Sequence, residues 1–431
     1  MKRLMLVFVV LMIVFLGCRS GEPGIIVEPE PTQVLPTEVS GPTAMPPTET
    51  APPPTEEPQT TEFAELEQIF QAAVDSQVEA GFPGAILMVD APDLGFYWKG
   101  AAGMADVEGE IPMEPDTPFR THGISNMMMG ALTLKLAEEG LLGLDDPISQ
   151  YLDAAIVEQL NGPNGEPYGE AITVRQLLNS TSGNASYFFA DEEDMDRNYS
   201  SDFAEIILVD PDKAWQPEEI ITYTTDNLEA VSAPGEGFAP YDLGYVLLGL
   251  IAEAATGGDL GEAYQTRLFE PLGMEQTFMV QPDDPRLDEV AHVYGIEGVD
   301  ISDFASLSWF RGDVVSTVDD LKRFMRAWAD DEIFSDPGSK EAMTEWVNMA
   351  DAGYPGYSYG LGLVKVDFSY WDVPEVEMHL GHQSIWNGFL YYWPKHNIVF
   401  AGTINQAIPV NSYGHLTGQV LETLLEYVQE E

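Results

Sequence analysis

The residues that could bind a metal or run acid–base chemistry are few: His122, His292, His379, His382, His396, His415 and a single cysteine, Cys18. His379 and His382 stand three apart on strand-like sequence, and side-chain alternation sends such a pair to opposite faces. No His-Glu-x-x-His helix or cysteine-based zinc spacing is present, so no metal site and no cofactor are expected. Asp191-Glu192-Glu193-Asp194 with Asp196 could collect Ca²⁺ weakly, but it lacks the spacing and turn glycine of a calcium loop. Hydroxyls and imidazoles remain. Ser125 and Tyr241, with His122 and His382, could supply a nucleophile and bases for acyl transfer, where serine–histidine pairs are common.

Such side chains need rigid elements to position them, and hydrophobic periodicity supplies these from position 63 onward. Leu66, Ile69, Phe70, Ala73, Val74 and Val78 recur at helical steps and predict a helix over Phe63–Ala80, stopped by Gly81 and Pro83. Strands follow at Ala85–Val89 and Phe96–Trp98 around the Pro92-Asp93-Leu94-Gly95 turn. Gly123–Glu139 is the most apolar helix of the chain, Met-rich and ended by Gly140, and it reads as central and buried. Further helices are predicted from Thr173 to Leu178, Leu243 to Ala255 and Thr317 to Ala329, the last capped by Thr317. The period then changes to strands at Tyr359–Asp367, Glu375–Leu380, Asn387–Trp393 and Ile398–Ile404, closed by a helix over Tyr413–Val428. This order predicts a mixed α/β fold of the α+β type. Its antiparallel sheet is built from both chain ends and flanked by helices, with a mostly helical lobe inserted between them.

The chain before position 63 is of another kind. Lys2 and Arg3 precede the apolar run Leu4–Leu16, too short to span a membrane and read as a signal peptide over residues 1–17. Leu16-Gly17-Cys18 resembles a bacterial lipobox, which implies lipidation of Cys18 and an extracytoplasmic protein anchored to the cell membrane. Residues 18–62 hold 11 prolines between Pro23 and Pro58, with Thr and Glu filling most other places, and read as an extended tether. Residues 63–431 form the folded domain. With 72 Asp and Glu against 18 Lys and Arg, a net charge of −54 excludes nucleic acid as a partner. Self-repulsion of this size needs screening, as in a high-salt setting.

Several strings together resemble the serine beta-lactamase and D-alanyl-D-alanine carboxypeptidase family, closest to its class C and esterase-related branch. They are Phe119-Arg120 before the apolar helix, Glu139-Gly140-Leu141-Leu142-Gly143-Leu144-Asp145-Asp146-Pro147, Ile172-Thr173-Val174-Arg175-Gln176-Leu177-Leu178 with Thr181-Ser182-Gly183, Phe269-Glu270-Pro271-Leu272-Gly273-Met274, and Gly381-His382. The likeness covers roughly residues 63–430. It implies a beta-lactamase/transpeptidase-like fold and a nucleophilic serine followed three residues later by lysine, one helical turn apart.

Here those two positions fall on Gly123 and Asn126. Glycine offers no attacking atom and asparagine no basic lone pair. A one-residue slip to Ser125 places Met128 where the base should be. The second motif, Tyr-x-Asn, falls on Pro240 and Asp242, with Tyr241 between them. The third keeps His382 but has Ser384 in place of glycine. The resemblance therefore implies a cleft of His122, Gly123, Ser125, Asn126, Tyr241, Asp242, His382 and Ser384 without an intact catalytic set. The expected role is a non-catalytic module binding a peptidoglycan-like peptide or a protein at the cell envelope. The alternative is a divergent hydrolase using Ser125, Tyr241, His122 and His382.

Overall fold

The computed structural model describes residues 63–187, 213, 215–238, 242–281, 284–295, 298–302, 313–371, 376–380, 388–406 and 414–430. Cys18, the signal-like segment, the tether, the acidic run from Asp191, Tyr241, His382 and Ser384 lie outside the described residues.

Helix α1 (Ala64–Glu79) leads into β1 (Gly84–Ala91), β2 (Phe96–Asp106) and β3 (Ile111–Pro112). The short β4 (Phe119–Arg120) feeds α2 (Ser125–Glu138) through a 3₁₀ turn at His122–Ile124. A helical lobe follows, with α3 (Ala154–Val157), α4 (Val174–Leu178), α5 (Pro217–Asn227), α6 (Asp242–Thr256) and α7 (Leu260–Tyr264). Next come β5 (Phe278–Met279), β6 (Val314–Ser316), α8 (Val318–Ala329) and α9 (Pro337–Met343). The chain returns to the sheet through β7 (Val347–Asn348), β8 (Tyr357–Tyr359), β9 (Val364–Asp367), β10 (Glu377–Leu380), β11 (Phe389–Trp393) and β12 (Ile398–Ile404), and closes with α10 (Gly414–Glu430).

Among the described residues these strands make a nine-stranded antiparallel sheet in the order β3-β2-β1-β12-β11-β10-β9-β8-β7, and a small sheet ordered β4-β6-β5. Both chain ends contribute to the large sheet, as expected from the sequence. Strand β1 shows why it must be covered on both sides. Its alternate residues Ala85, Leu87 and Val89 join the apolar cluster under α1 and α10, whereas Ile86 and Met88 join the cluster of the helical lobe.

Helix α2 is buried almost all round, with Met127, Met128, Met129 and Leu132 fully enclosed, as its unbroken apolar sequence requires. Thr317 caps α8 by accepting from the Asp320 N–H at 3.3 Å. The predicted strand Tyr359–Asp367 is in fact two, β8 and β9, parted at Gly360-Leu361-Gly362. The break lets α2 sit directly on the sheet. A Cβ on Gly362, whose φ is 87°, would lie 2.2 Å from the Asn126 carbonyl oxygen, and one on Gly130 would lie 2.1 Å from that of Leu361. Only glycine permits backbones to approach so closely.

Candidate functional site

The turn that opens α2 is held from its N-terminal side by β6. Phe119 pairs with Ser316 and Arg120 with Val315. Thr121 then donates both its N–H and its hydroxyl to the Val314 carbonyl, each at 2.8 Å. The chain reverses at His122, whose φ of 45° is a left-handed conformation that a non-glycine residue adopts at a cost. The imidazole is buried, with Nδ1 3.4 Å from Oδ2 of Asp313. Asp313 is fully enclosed. Its Oδ1 accepts from the Val314 N–H at 2.9 Å, while Oδ2 has no hydrogen-bond donor among the described residues.

Gly123 and Asn126 open the helix where the sequence places them, with Gly123 buried and Asn126 half-buried. Ser125 is also buried, and its Oγ donates to the His122 carbonyl oxygen at 2.5 Å. This hydroxyl closes the turn. Among the described residues α2 carries one lysine, Lys135, and its Nζ donates to the Ile333 carbonyl at 3.0 Å near the far end of the helix.

Hydroxyl groups gather near Asn126. The seating of α2 against Gly362 brings β8 under its first turn, and Tyr359 stands near the Asn126 and Ser180 side chains. Tyr359 Oη lies 2.9 Å from Tyr245 Oη on α6, and Tyr245 Oη reaches the Leu178 carbonyl at the end of α4 at 3.2 Å. Asp242, the first residue of α6, accepts from Ser186 Oγ at 3.3 Å. Ser180, Thr181, Ser182, Asn184 and Ser186 are all buried, and Ser180 has a φ of 56°.

Burial pushes the Tyr359 phenol up to about 12; hydrogen bonds from Tyr245, Asn126 and Ser180 offset part of this and the charge of Asp242 adds to it. Burial likewise drives Tyr245 well above the ordinary phenol range. Both phenols are neutral at physiological pH, so they act as hydrogen-bonding groups rather than bases.

The structure therefore places Asn126 and Asp242 near Tyr359 and Gly123 in the turn before α2, while His122 turns to Asp313 and Ser125 to the backbone. Tyr359, Tyr245, Ser180 and Asp313 were not among the cleft residues read from the sequence. For Tyr359 a signal existed in the closely spaced Gly360 and Gly362, which mark a close backbone approach. Asp313 heads a short apolar strand, and nothing in that string announces its partner. No cluster of three or more His, Cys, Asp or Glu able to hold a metal occurs among the described residues.

A sheet made from both chain ends, an inserted helical lobe and a buried helix packed against the sheet define a serine-hydrolase fold of the beta-lactamase/transpeptidase type. The beta-lactamase family model matches residues 66–425, and the chain belongs to that family. Penicillin-binding protein 4* of Bacillus subtilis is 25% identical over 326 residues, 72% of this chain and 64% of that protein. Esterase EstB of Burkholderia gladioli is 28% identical over 229 residues, 52% of this chain and 53% of that one. The chain thus matches less than two thirds of the length of either curated relative. A D-stereospecific amidohydrolase from Streptomyces sp. superposes with a TM-score of 0.65 at 26% identity, covering 83% of this chain and 97% of that one.

Proposed function

We propose that this protein is a catalytically silent beta-lactamase-family lipoprotein that serves as a receptor at the cell envelope. Cys18 anchors it to the membrane, residues 18–62 hold the domain away from the surface, and the opening of α2 binds a peptidoglycan-like peptide or a protein segment. One observation carries the reading: the Ser125 hydroxyl, two residues from the former nucleophile position, is buried and spends its proton on the His122 carbonyl. Neither Gly123 nor Asn126 supplies a nucleophile or a base. The names of the relatives, a penicillin-binding protein, an esterase and a D-stereospecific amidohydrolase, support acyl or D-amino-acid-containing groups as ligands.

The test is exposure of the full chain to a fluorophosphonate and to a fluorescent penicillin, read by intact mass. No covalent adduct is expected. An adduct on Ser125 that disappears in Ser125→Ala would establish the divergent hydrolase instead.

A further inference from the structure

Strand β10 alternates. Met378 and Leu380 join the apolar cluster under α1 and α10, so His379 between them faces the cluster of the helical lobe. Three aromatic rings enclose its imidazole there. Their centroids lie 5.4 Å away for Trp328 on α8, 5.6 Å for Trp346 and 6.4 Å for Tyr392 on β11. Nε2 stands 3.4 Å from Glu377 Oε1, while Nδ1 is buried and has no hydrogen-bond partner among the described residues. Such a place suits a neutral imidazole with its proton on Nε2. A second proton would put an N–H on Nδ1 with nothing to receive it.

The charged neighbours do not offset that cost. Glu377 is exposed and shares its carboxylate with Lys365, 3.7 Å away across the β9–β10 pair. Lys365 Nζ lies 5.3 Å from the Trp346 ring, and Lys340 Nζ on α9 lies 4.9 Å from the Trp328 ring, so both indoles already face a cation. Lys340 itself donates to Asp331, just beyond α8, at 2.5 Å. Tyr392 is a phenol raised further by burial and stays neutral. Burial holds the imidazole below the ordinary histidine range; the charges of Lys365 and Lys340 add to this, and the charge and hydrogen bond of Glu377 oppose it.

Of the three rings, Trp346 is the one free to move. It is half-buried where Trp328 is enclosed, and it leads directly into β7, a two-residue strand at the edge of the sheet. Its ring rests by Gly360, where a Cβ would lie 3.2 Å from Cζ3; two residues further on, Gly362 meets the Asn126 carbonyl. Trp346 thus covers the same break in the sheet that seats α2.

We propose that His379 is a proton-operated latch: its neutral imidazole lets Trp346 close over β10 and the Gly360-Leu361-Gly362 break, and its imidazolium releases Trp346 together with β7. In the released form the imidazole returns to a value near 6.5, above that of the closed form. Closure is therefore fully favoured above about pH 6.5 and is lost as pH falls from there through the closed-form value. Acid loosens the support of the α2 opening.

Fluorine NMR of the full chain labelled with fluorotryptophan tests this at fixed high salt. The chain has eight tryptophans, and the signal lost in Trp346→Phe identifies the one that matters. A neutral soluble nitroxide should broaden that signal weakly at about pH 7.5 and several-fold more at about pH 5, while the remaining signals keep their dispersion and show that the fold persists. His379→Gln should keep Trp346 shielded at both pH values. Lys365→Gln, which removes a neighbouring cation from a partly exposed position, should move the release to higher pH and serves where His379→Gln does not fold. A Trp346 signal equally shielded at both pH values overturns the latch. So does release that persists in His379→Gln, or a midpoint that fails to rise in Lys365→Gln.

Discussion

The hydroxyl of Ser125 and the carbonyl oxygen of His122 meet at 2.5 Å, three residues apart, across the turn that opens α2. The carbonyl belongs to a residue in left-handed backbone, so the bond ties the strained reversal at His122 to the first residue of the helix. A side chain in this place acts on conformation and holds the opening of α2 in shape.

Rebuilding the chemistry is therefore a matter of side chains. Gly123→Ser with Asn126→Lys should give detectable p-nitrophenyl acetate hydrolysis and fluorophosphonate labelling at position 123, while each single substitution stays at background, because the pair works as a unit. The Asp242 field reaches Tyr359, which stands near Asn126, so it should also hold a lysine at 126 in its charged and non-basic form. Adding Asp242→Asn should raise the rate further, by about tenfold for each pKa unit that the amine falls. A well-folded triple variant with no activity above background would show that position 123 does not lie where the family's nucleophile does.

The His122–Asp313 pair should be visible in stability. Asp313 is fully enclosed, and the His122 imidazole lies 3.4 Å from its second oxygen. His122→Ala leaves Oδ2 of Asp313 without the imidazole and should cost about 3–5 kcal/mol, whereas His122→Ala combined with Asp313→Asn should recover much of the loss. Urea midpoints for the two single variants and the double variant measure the coupling. Additive effects would mean that the two side chains do not interact.

The elements that position the site were largely legible from residue spacing. The apolar run Met127–Leu136 could only be a buried helix, and Ile398–Ile404 could only be an enclosed strand. Strands β4, β5 and β6 escaped because two or three residues carry no period; they exist through pairing with distant segments. Gly123 and Asn126, where the resemblance puts the Ser-Lys pair, likewise stand at the opening of the helix, as the string predicts. The partners around them were not legible. Tyr359 meets Tyr245 across 114 positions, and His122 meets Asp313 only because β4 pairs with β6. Contacts of that kind are decided by tertiary packing, on which local pattern is silent.

The acid limb of stability should report the brace between β2 and α8. Asp319 accepts from Tyr97 at 2.5 Å and from Lys99 at 2.7 Å. Burial alone would raise its carboxyl, but the hydrogen bonds from Lys99 and Tyr97 and the charges of Lys99 and Lys322 outweigh it and leave the group below the ordinary aspartate range. A carboxyl depressed by folding contributes stability that is fully present above its unfolded value, about 3.9, and is lost as pH falls through the folded one. The 72 acidic residues complicate any single curve, since their mutual repulsion relaxes as they protonate. The difference between wild type and Asp319→Asn cancels most of that shared background. Urea midpoints should therefore be higher for wild type at pH 6, with the gap closing below about pH 4. A gap that stays constant down to pH 2 would mean that the brace stabilises through packing of Tyr97 and the Lys99 stem rather than through the charge on Asp319.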